Sequence, residues 1–162
     1  MEIWDAYDES LKKMDGMTLV RGEPVPEGVY HLVCDILVRH ADGDYLLMQR
    51  DPRKSCGGLW EASAGGAALR GETALQSAFR ELREETGILA DELTEIGRDV
   101  SPETRSIYVA FLCVTDRNKS NITLQEGETC AFRWVGRDAL LAMDASELLP
   151  KRMMRLIIEE NL

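Results

Sequence analysis

Long apolar runs are missing from this chain. Nowhere do eighteen consecutive residues stay apolar, so no transmembrane helix is expected. Positive charge is also short: 19 Lys and Arg against 29 Asp and Glu leave a net charge of −10. That balance argues against broad binding to long nucleic acid or to an anionic membrane. It does not exclude a small phosphorylated ligand, because a bound cation and a few arginines can reverse the sign inside one cleft. The two histidines, His31 and His40, have no partner spacing that suggests a metal site or a catalytic triad. The four cysteines form no CxxC pair and no zinc-like array. Cys34, Cys113 and Cys130 fall in predicted strands, where buried reduced thiols are expected. The opening residues, Met1 to Lys13, are acidic and mixed rather than basic then apolar, so they do not read as a secretory signal. Together these absences point to a cytoplasmic protein. Neither an internal repeat nor a low-complexity segment is evident.

What remains is an ordinary globular composition, with 44% apolar and 30% charged residues over 162 positions. That length suits one domain, 1–162, with a substantial core. Residues 1–28 read as an attached N-terminal arm or hairpin. Trp4, Tyr7, Leu11 and Met14 have a loose helical or turn-rich spacing, and Met17–Arg21 a short strand pattern. The run Gly22 to Gly28, with Pro24 and Pro26, then breaks the chain. Val29–His40 and Tyr45–Arg50 are predicted strands around an Asp42-Gly43 turn. Leu93–Val100, Ser106–Thr115 and Thr129–Val135 are further strands, while Arg137–Met143 and Leu149–Glu160 look helical, the latter opened by Pro150. Strands, a helix, strands, then helices suit a mixed β-sheet covered by helices, an α/β fold.

The stretch from Gly65 to Ile88, GGAALRGETALQSAFRELREETGI, carries the chemistry. Thr73 is a suitable N-cap for a helix and Gly87 a suitable stop. On that helix Glu81, Glu84 and Glu85 share an arc of roughly 100°, apart from an apolar stripe of Leu75, Phe79 and Leu82. Three carboxylates on one face repel each other unless a positive group sits among them. A hard divalent cation such as Mg²⁺, which takes oxygen ligands, is the natural candidate. The bland alternative is a solvated charged helix with pairs such as Arg80 and Glu84.

Gly66, Glu72, Arg80, Glu81, Leu82, Glu84, Glu85, Gly87 and Ile88 match the full signature of the Nudix hydrolases, which this segment resembles. The resemblance implies a Nudix-type α/β/α sandwich around a mixed β-sheet. It implies a Mg²⁺-dependent pyrophosphohydrolase, with Mn²⁺ as the alternative ion, acting on a nucleoside diphosphate linked to another moiety. It further implies that Glu81, Glu84 and Glu85 are metal ligands, that Gly65 adds its carbonyl, and that Glu72 and Arg80 orient the ligand helix. The catalytic base in this family comes from the helix, here Glu84 or Glu85, or from a distant loop, here Glu126 or Glu128. Arg50, Arg53, Lys54 and Arg70 are candidates to contact substrate phosphates. Trp60 and Tyr30 suit core packing better than stacking on a base.

The softer likeness extends to the branch nearest isopentenyl-diphosphate isomerase, whose reactive cysteine and metal-binding histidine flank the first signature glycine. Gly65 and Ala67 occupy those positions, and Cys56 lies nine residues too early. Hydrolysis is therefore preferred over isomerisation. It is also preferred over a non-catalytic nucleotide-binding module, which would be expected to lose signature carboxylates. A homodimer paired through the N-terminal arm is a further expectation.

Overall fold

Ten residues from His31 to His40 form β3, and the alternation of their side chains divides the protein into two cores. Leu32, Cys34, Ile36 and Val38 enter one buried cluster, whereas Leu37 enters another. The computed structural model that shows this describes residues 1–144, 146–149, 151–159 and 162. Strand β8 (Ser106–Thr115) runs parallel to β3 over its full length, from His31 opposite Ser106 to His40 opposite Thr115. Its Ile107, Val109, Phe111 and Cys113 face the first core, and Ala110 and Leu112 the second. Both strands are apolar on both sides because both sides are covered.

Strand β7 (Thr94–Ser101) lies antiparallel to β8, and β6 (Ala64–Ala67) pairs antiparallel with β3. A second run places β4 (Tyr45–Arg50) antiparallel to both β5 (Trp60–Ala62) and β9 (Thr129–Val135), with β10 (Leu148–Leu149) parallel to β5. The two runs join at the β3–β4 turn, where Arg39 faces Tyr45. Helix α1 (Ala74–Thr86) packs on β6 and β3 and sends Ala78 and Leu82 into the first core. Helices α2 (Arg137–Leu141) and α3 (Lys151–Glu159) send Leu140, Met153 and Ile157 into the second. The result is the expected mixed sheet between helices.

The N-terminal residues form β1 (Ile3–Tyr7) and β2 (Lys13–Val20), an antiparallel pair. Of the two readings of the spacing of Trp4, Tyr7, Leu11 and Met14, the helical one does not hold, since strands joined by a turn take its place. The Asp8 carboxylate accepts backbone N–H groups from Ser10 and Lys12 at 2.9 and 3.0 Å, building a turn, and Leu11 takes a left-handed φ of 64°. Trp4, Ala6, Leu19 and Val29 make a small third core beneath the hairpin. Reciprocal backbone bonds between Tyr7 and Tyr30, each 2.9 Å, tie it to the body, as does Arg70 N–H to the Ile3 carbonyl at 2.8 Å.

Three further expectations change. Cys130 is exposed, with its Sγ turned to Gln49 Oε1 and the Arg50 carbonyl, whereas Cys34 and Cys113 are buried. Leu149 belongs to β10 rather than to the last helix, and α2 stops at Leu141 rather than Met143. Pro150, expected in the first turn of that last helix, and Glu160, its expected end, lie outside the described residues.

Candidate active site

Helix α1 is fixed at both ends by local chemistry. The Thr73 hydroxyl accepts the Gln76 N–H at 3.2 Å while the Gln76 side chain accepts the Thr73 N–H at 2.9 Å, a reciprocal cap. At the other end Gly87, with φ of 73°, donates its N–H to the Arg83 carbonyl. The buried side of the helix is Ser77, Ala78, Leu82, Glu85 and Thr86. Leu75, expected in the apolar stripe, is 42% exposed because the stripe is rotated toward Glu85.

Arg80 sits among the acidic residues. Its Nε and Nη2 grip the two oxygens of Glu72 at 2.8 and 2.9 Å, and its Nη1 donates to Glu81 at 2.7 Å and to Glu84 at 3.3 Å. Nη2 also donates to the Ala67 carbonyl at 3.1 Å, tying the helix to β6. Glu72 in turn accepts the Leu69 N–H at 2.8 Å. Arg80 holds the Glu72 carboxyl below the usual range, against the opposing effect of burial. Burial pushes Glu81 up despite its bond to Arg80.

Glu85 is the most hidden of the set, 6% exposed. Its Oε2 accepts the Gly65 N–H at 3.0 Å. Burial first, then the nearby charges of Glu61 and Glu81, push its pKa up to about 8, against the pull of Gly65 N–H and Lys54. Gly65 thus meets Glu85 through its N–H, a group separate from the carbonyl expected to face a cation. Close approach explains the glycines: a Cβ on Gly66 would stand 2.3 Å from Glu81 Oε1, and one on Gly65 2.7 Å from the Cys34 carbonyl.

Glu81, Glu84, Glu85, Gly65, Gly66 and Arg80 line a cleft of about 430 Å³. Lys54 and Glu128, from two separate loops, also line it and form an ion pair with each other. A second cavity, of about 530 Å³, shares Val33, Gly65 and Gly66 with the first. There Arg152 clasps buried Asp35 through two bonds of 2.6 and 2.9 Å and lies 3.4 Å over the Tyr108 ring. Arg50 also faces this second cavity, bonded to Glu61 at 2.7 Å. The other predicted contacts do not converge on the cleft. Arg53 is taken by Asp51, Arg70 is exposed beside the hairpin, and Glu126 is exposed and lines neither cavity. Tyr30 is core, and Trp60 lies beneath the Arg133 guanidinium at 4.1 Å.

Sequence reasoning missed one wall altogether. Glu2, Trp4 and Arg21 of the hairpin, together with His31 and Gln125, line the same cleft as the α1 glutamates. Trp4 and His31 are stacked, with ring centroids 4.3 Å apart and planes 13° from parallel. The indole nitrogen Nε1 of Trp4 and the Nδ1 of His31 are buried without a hydrogen-bond partner among the described residues, whereas His31 Nε2 pairs with the Ser106 hydroxyl at 2.9 Å. The alternation of Trp4 and Ala6 was the available sign of a strand. Nothing in the spacing tied that strand to a helix beginning at Ala74.

The donor chemistry fits a hard divalent cation. The facing groups are carboxylate oxygens and backbone, and the like-charge repulsion that adds to burial in raising the Glu85 pKa is the kind a cation relieves. Among the described residues no group of three His, Cys, Asp or Glu side chains is drawn together closely enough to hold a cation, and Arg80 pairs with Glu72, Glu81 and Glu84.

The NUDIX domain model matches residues 29–156. An uncharacterised Nudix hydrolase of Listeria monocytogenes is 34% identical over 153 residues, covering 93% of this chain and 89% of that protein. Among solved structures, a Deinococcus radiodurans protein shares the fold with a TM-score of 0.71 at 23% identity, covering 87% of each chain. A bifunctional NMN adenylyltransferase/ADP ribose pyrophosphatase of Francisella tularensis, complexed with AMP and a Mn ion, gives a TM-score of 0.62 at 23% identity. That match covers 81% of this chain and 42% of the Francisella chain. The chain belongs to the NUDIX domain family and is an enzyme of its pyrophosphohydrolase class. Such enzymes use divalent metals, and the donor set above is of the type they require.

Proposed function

We propose that the protein is a Mg²⁺-dependent hydrolase, with Mn²⁺ as the alternative ion, of a phosphate anhydride in a nucleoside diphosphate linked to another moiety. The observation that carries this reading is the placement of Glu81 and Glu85 against Gly65–Gly66, where two cavities share one narrow strand. A substrate crossing that strand would present its phosphates to the glutamates and an organic moiety to the Tyr108–Arg152 cavity. The Francisella neighbour, named an ADP ribose pyrophosphatase, supports the choice of substrate class. The four cysteines are free thiols, which suits a cytoplasmic enzyme. A homodimer paired through the arm stays part of this reading.

Glu81, Glu84 and Glu85 would hold the cation together with the Gly65 carbonyl. When bound, the ion neutralises phosphoryl charge and lowers the pKa of a coordinated water. The chain's own groups prepare the rest. Gly65 N–H orients the Glu85 carboxyl, and Arg80 holds Glu81 in place through the Glu72 fork. Glu128 lines the cleft and, once it leaves Lys54, would accept a proton from the attacking water, a role that Glu84 or Glu85 of the helix could fill instead. Lys54, freed by the same exchange, would face substrate phosphate.

The test is a panel of nucleotide sugars, dinucleotides, ADP-ribose and nucleoside triphosphates with Mg²⁺, scored for release of phosphate or nucleoside monophosphate. Glu85→Gln is expected to reduce kcat on the accepted substrate by more than about a hundredfold, beyond the loss typical of an outer-shell partner. Unchanged turnover by that variant would remove the metal site as assigned.

A further inference from the structure

We propose that the N-terminal hairpin is a working wall of the active site and that its Arg21 binds the anionic part of the substrate. The inference rests on the reading of the cleft as the phosphate site. Residues 1–28 lie outside the segment that the NUDIX model matches, yet Glu2, Trp4 and Arg21 line the cleft that holds Glu81, Glu84 and Glu85.

The cleft has three cationic side chains, Arg21, Lys54 and Arg80, and their commitments differ. Arg80 is saturated by Glu72, Glu81, Glu84 and the Ala67 carbonyl. Lys54 is half-buried against Glu128. Arg21 is 59% exposed and its ion-pair partner, Glu2, is 40% exposed at 2.7 Å. An exposed pair of this kind is weakly held and screened by solvent, so Arg21 is the cation that turns to an incoming anion at least cost. A planar guanidinium also suits two oxygens of a phosphate. The base of the wall is rigid: Trp4 is buried, stacked on His31, and the hairpin is bonded to Tyr30 and Arg70. Arg21 is therefore presented on a fixed strand end, with its N–H bonded to the Glu2 carbonyl at 3.1 Å. Glu2 acts as an internal competitor for the guanidinium.

The experiment uses the full chain with Mg²⁺ and titrates inorganic pyrophosphate calorimetrically, alongside steady-state kinetics on the substrate accepted in the panel. Arg21→Ala is expected to raise both the Kd for pyrophosphate and the KM about tenfold with kcat within about twofold, the pattern of lost uniform binding. Arg21→Lys should recover part of the affinity. Glu2→Gln should move it the other way, tightening pyrophosphate about two- to threefold. Because Arg21 is exposed, the thermal midpoint of these variants should match that of the wild type. The inference is overturned if Arg21→Ala binds pyrophosphate within about twofold of wild type, or if kcat falls at unchanged KM, or if the wild type does not bind pyrophosphate at all. Failure of the metal-site assignment would show separately, as normal turnover by Glu85→Gln.

Discussion

Two adjacent glycines separate what the active site needs from what the fold needs. At Gly66 an added Cβ meets the end of the Glu81 side chain, which can swing aside; at Gly65 it meets the Cys34 backbone carbonyl, which cannot. Gly66→Ala should therefore keep its stability within about 1 kcal/mol while losing activity, because Glu81 is displaced. Gly65→Ala should cost about 1–3 kcal/mol in chemical denaturation, the usual range for overpacking against fixed atoms. If both variants lose stability equally and neither loses specific activity, Glu81 has been given the wrong role. At this scale the signature was legible from residue type alone, since each residue's chemistry is local. The orientation of Gly65 was not. Whether its N–H or its carbonyl faces Glu85 depends on how β6 lies against β3.

Helix α1 shows how much of an element its own residues determine. Thr73 and Gln76 begin it and Gly87 ends it, and all three act through bonds within a few residues. The Arg80–Glu72 fork is the exception, reaching eight positions back along the chain to lock the helix to the loop before it. Glu72 has a folded pKa below its unfolded value, so its contribution to stability is complete above the unfolded pKa, about 4.3. It is lost as pH falls below that value and through the folded pKa. Acid titration of thermal stability should show this drop in the wild type, and Glu72→Gln should show a smaller one. An identical acid limb in both would mean the fork adds nothing to folding. The hairpin is the opposite case. Its helical spacing was overruled by an Asp8-centred turn and by packing of Trp4 and Ala6 against Leu19 and Val29, contacts that spacing within 1–14 does not reveal.

For the molecule as a whole, Asp35 and Arg152 connect the central strand to the last helix across 117 positions. Burial raises the Asp35 pKa and the Arg152 fork opposes it, so the carboxylate depends on its partner. Arg152→Ala should destabilise the protein by about 2–4 kcal/mol, slightly discounted from a fully buried pair because the guanidinium is 23% exposed. The double variant Asp35→Asn with Arg152→Met should recover part of that loss in urea denaturation, since no unpaired charge is then left inside. A double variant as unstable as the single one would show that Arg152 acts through its stack on Tyr108 instead.

By itself, the sequence determined the helix with its caps, the alternating strands and the acidic signature, because those depend on neighbours within a turn or a strand pair. It also determined the family. Tertiary structure alone decided which outlying groups meet that signature. It left Glu126 and Arg70 outside the cleft, set Lys54 against Glu128, and brought Glu2, Trp4 and Arg21 to the glutamates. The physical reason is that a parallel β3–β8 pairing and a docked hairpin juxtapose residues tens of positions apart, and such pairing leaves no periodic trace in the residues it joins.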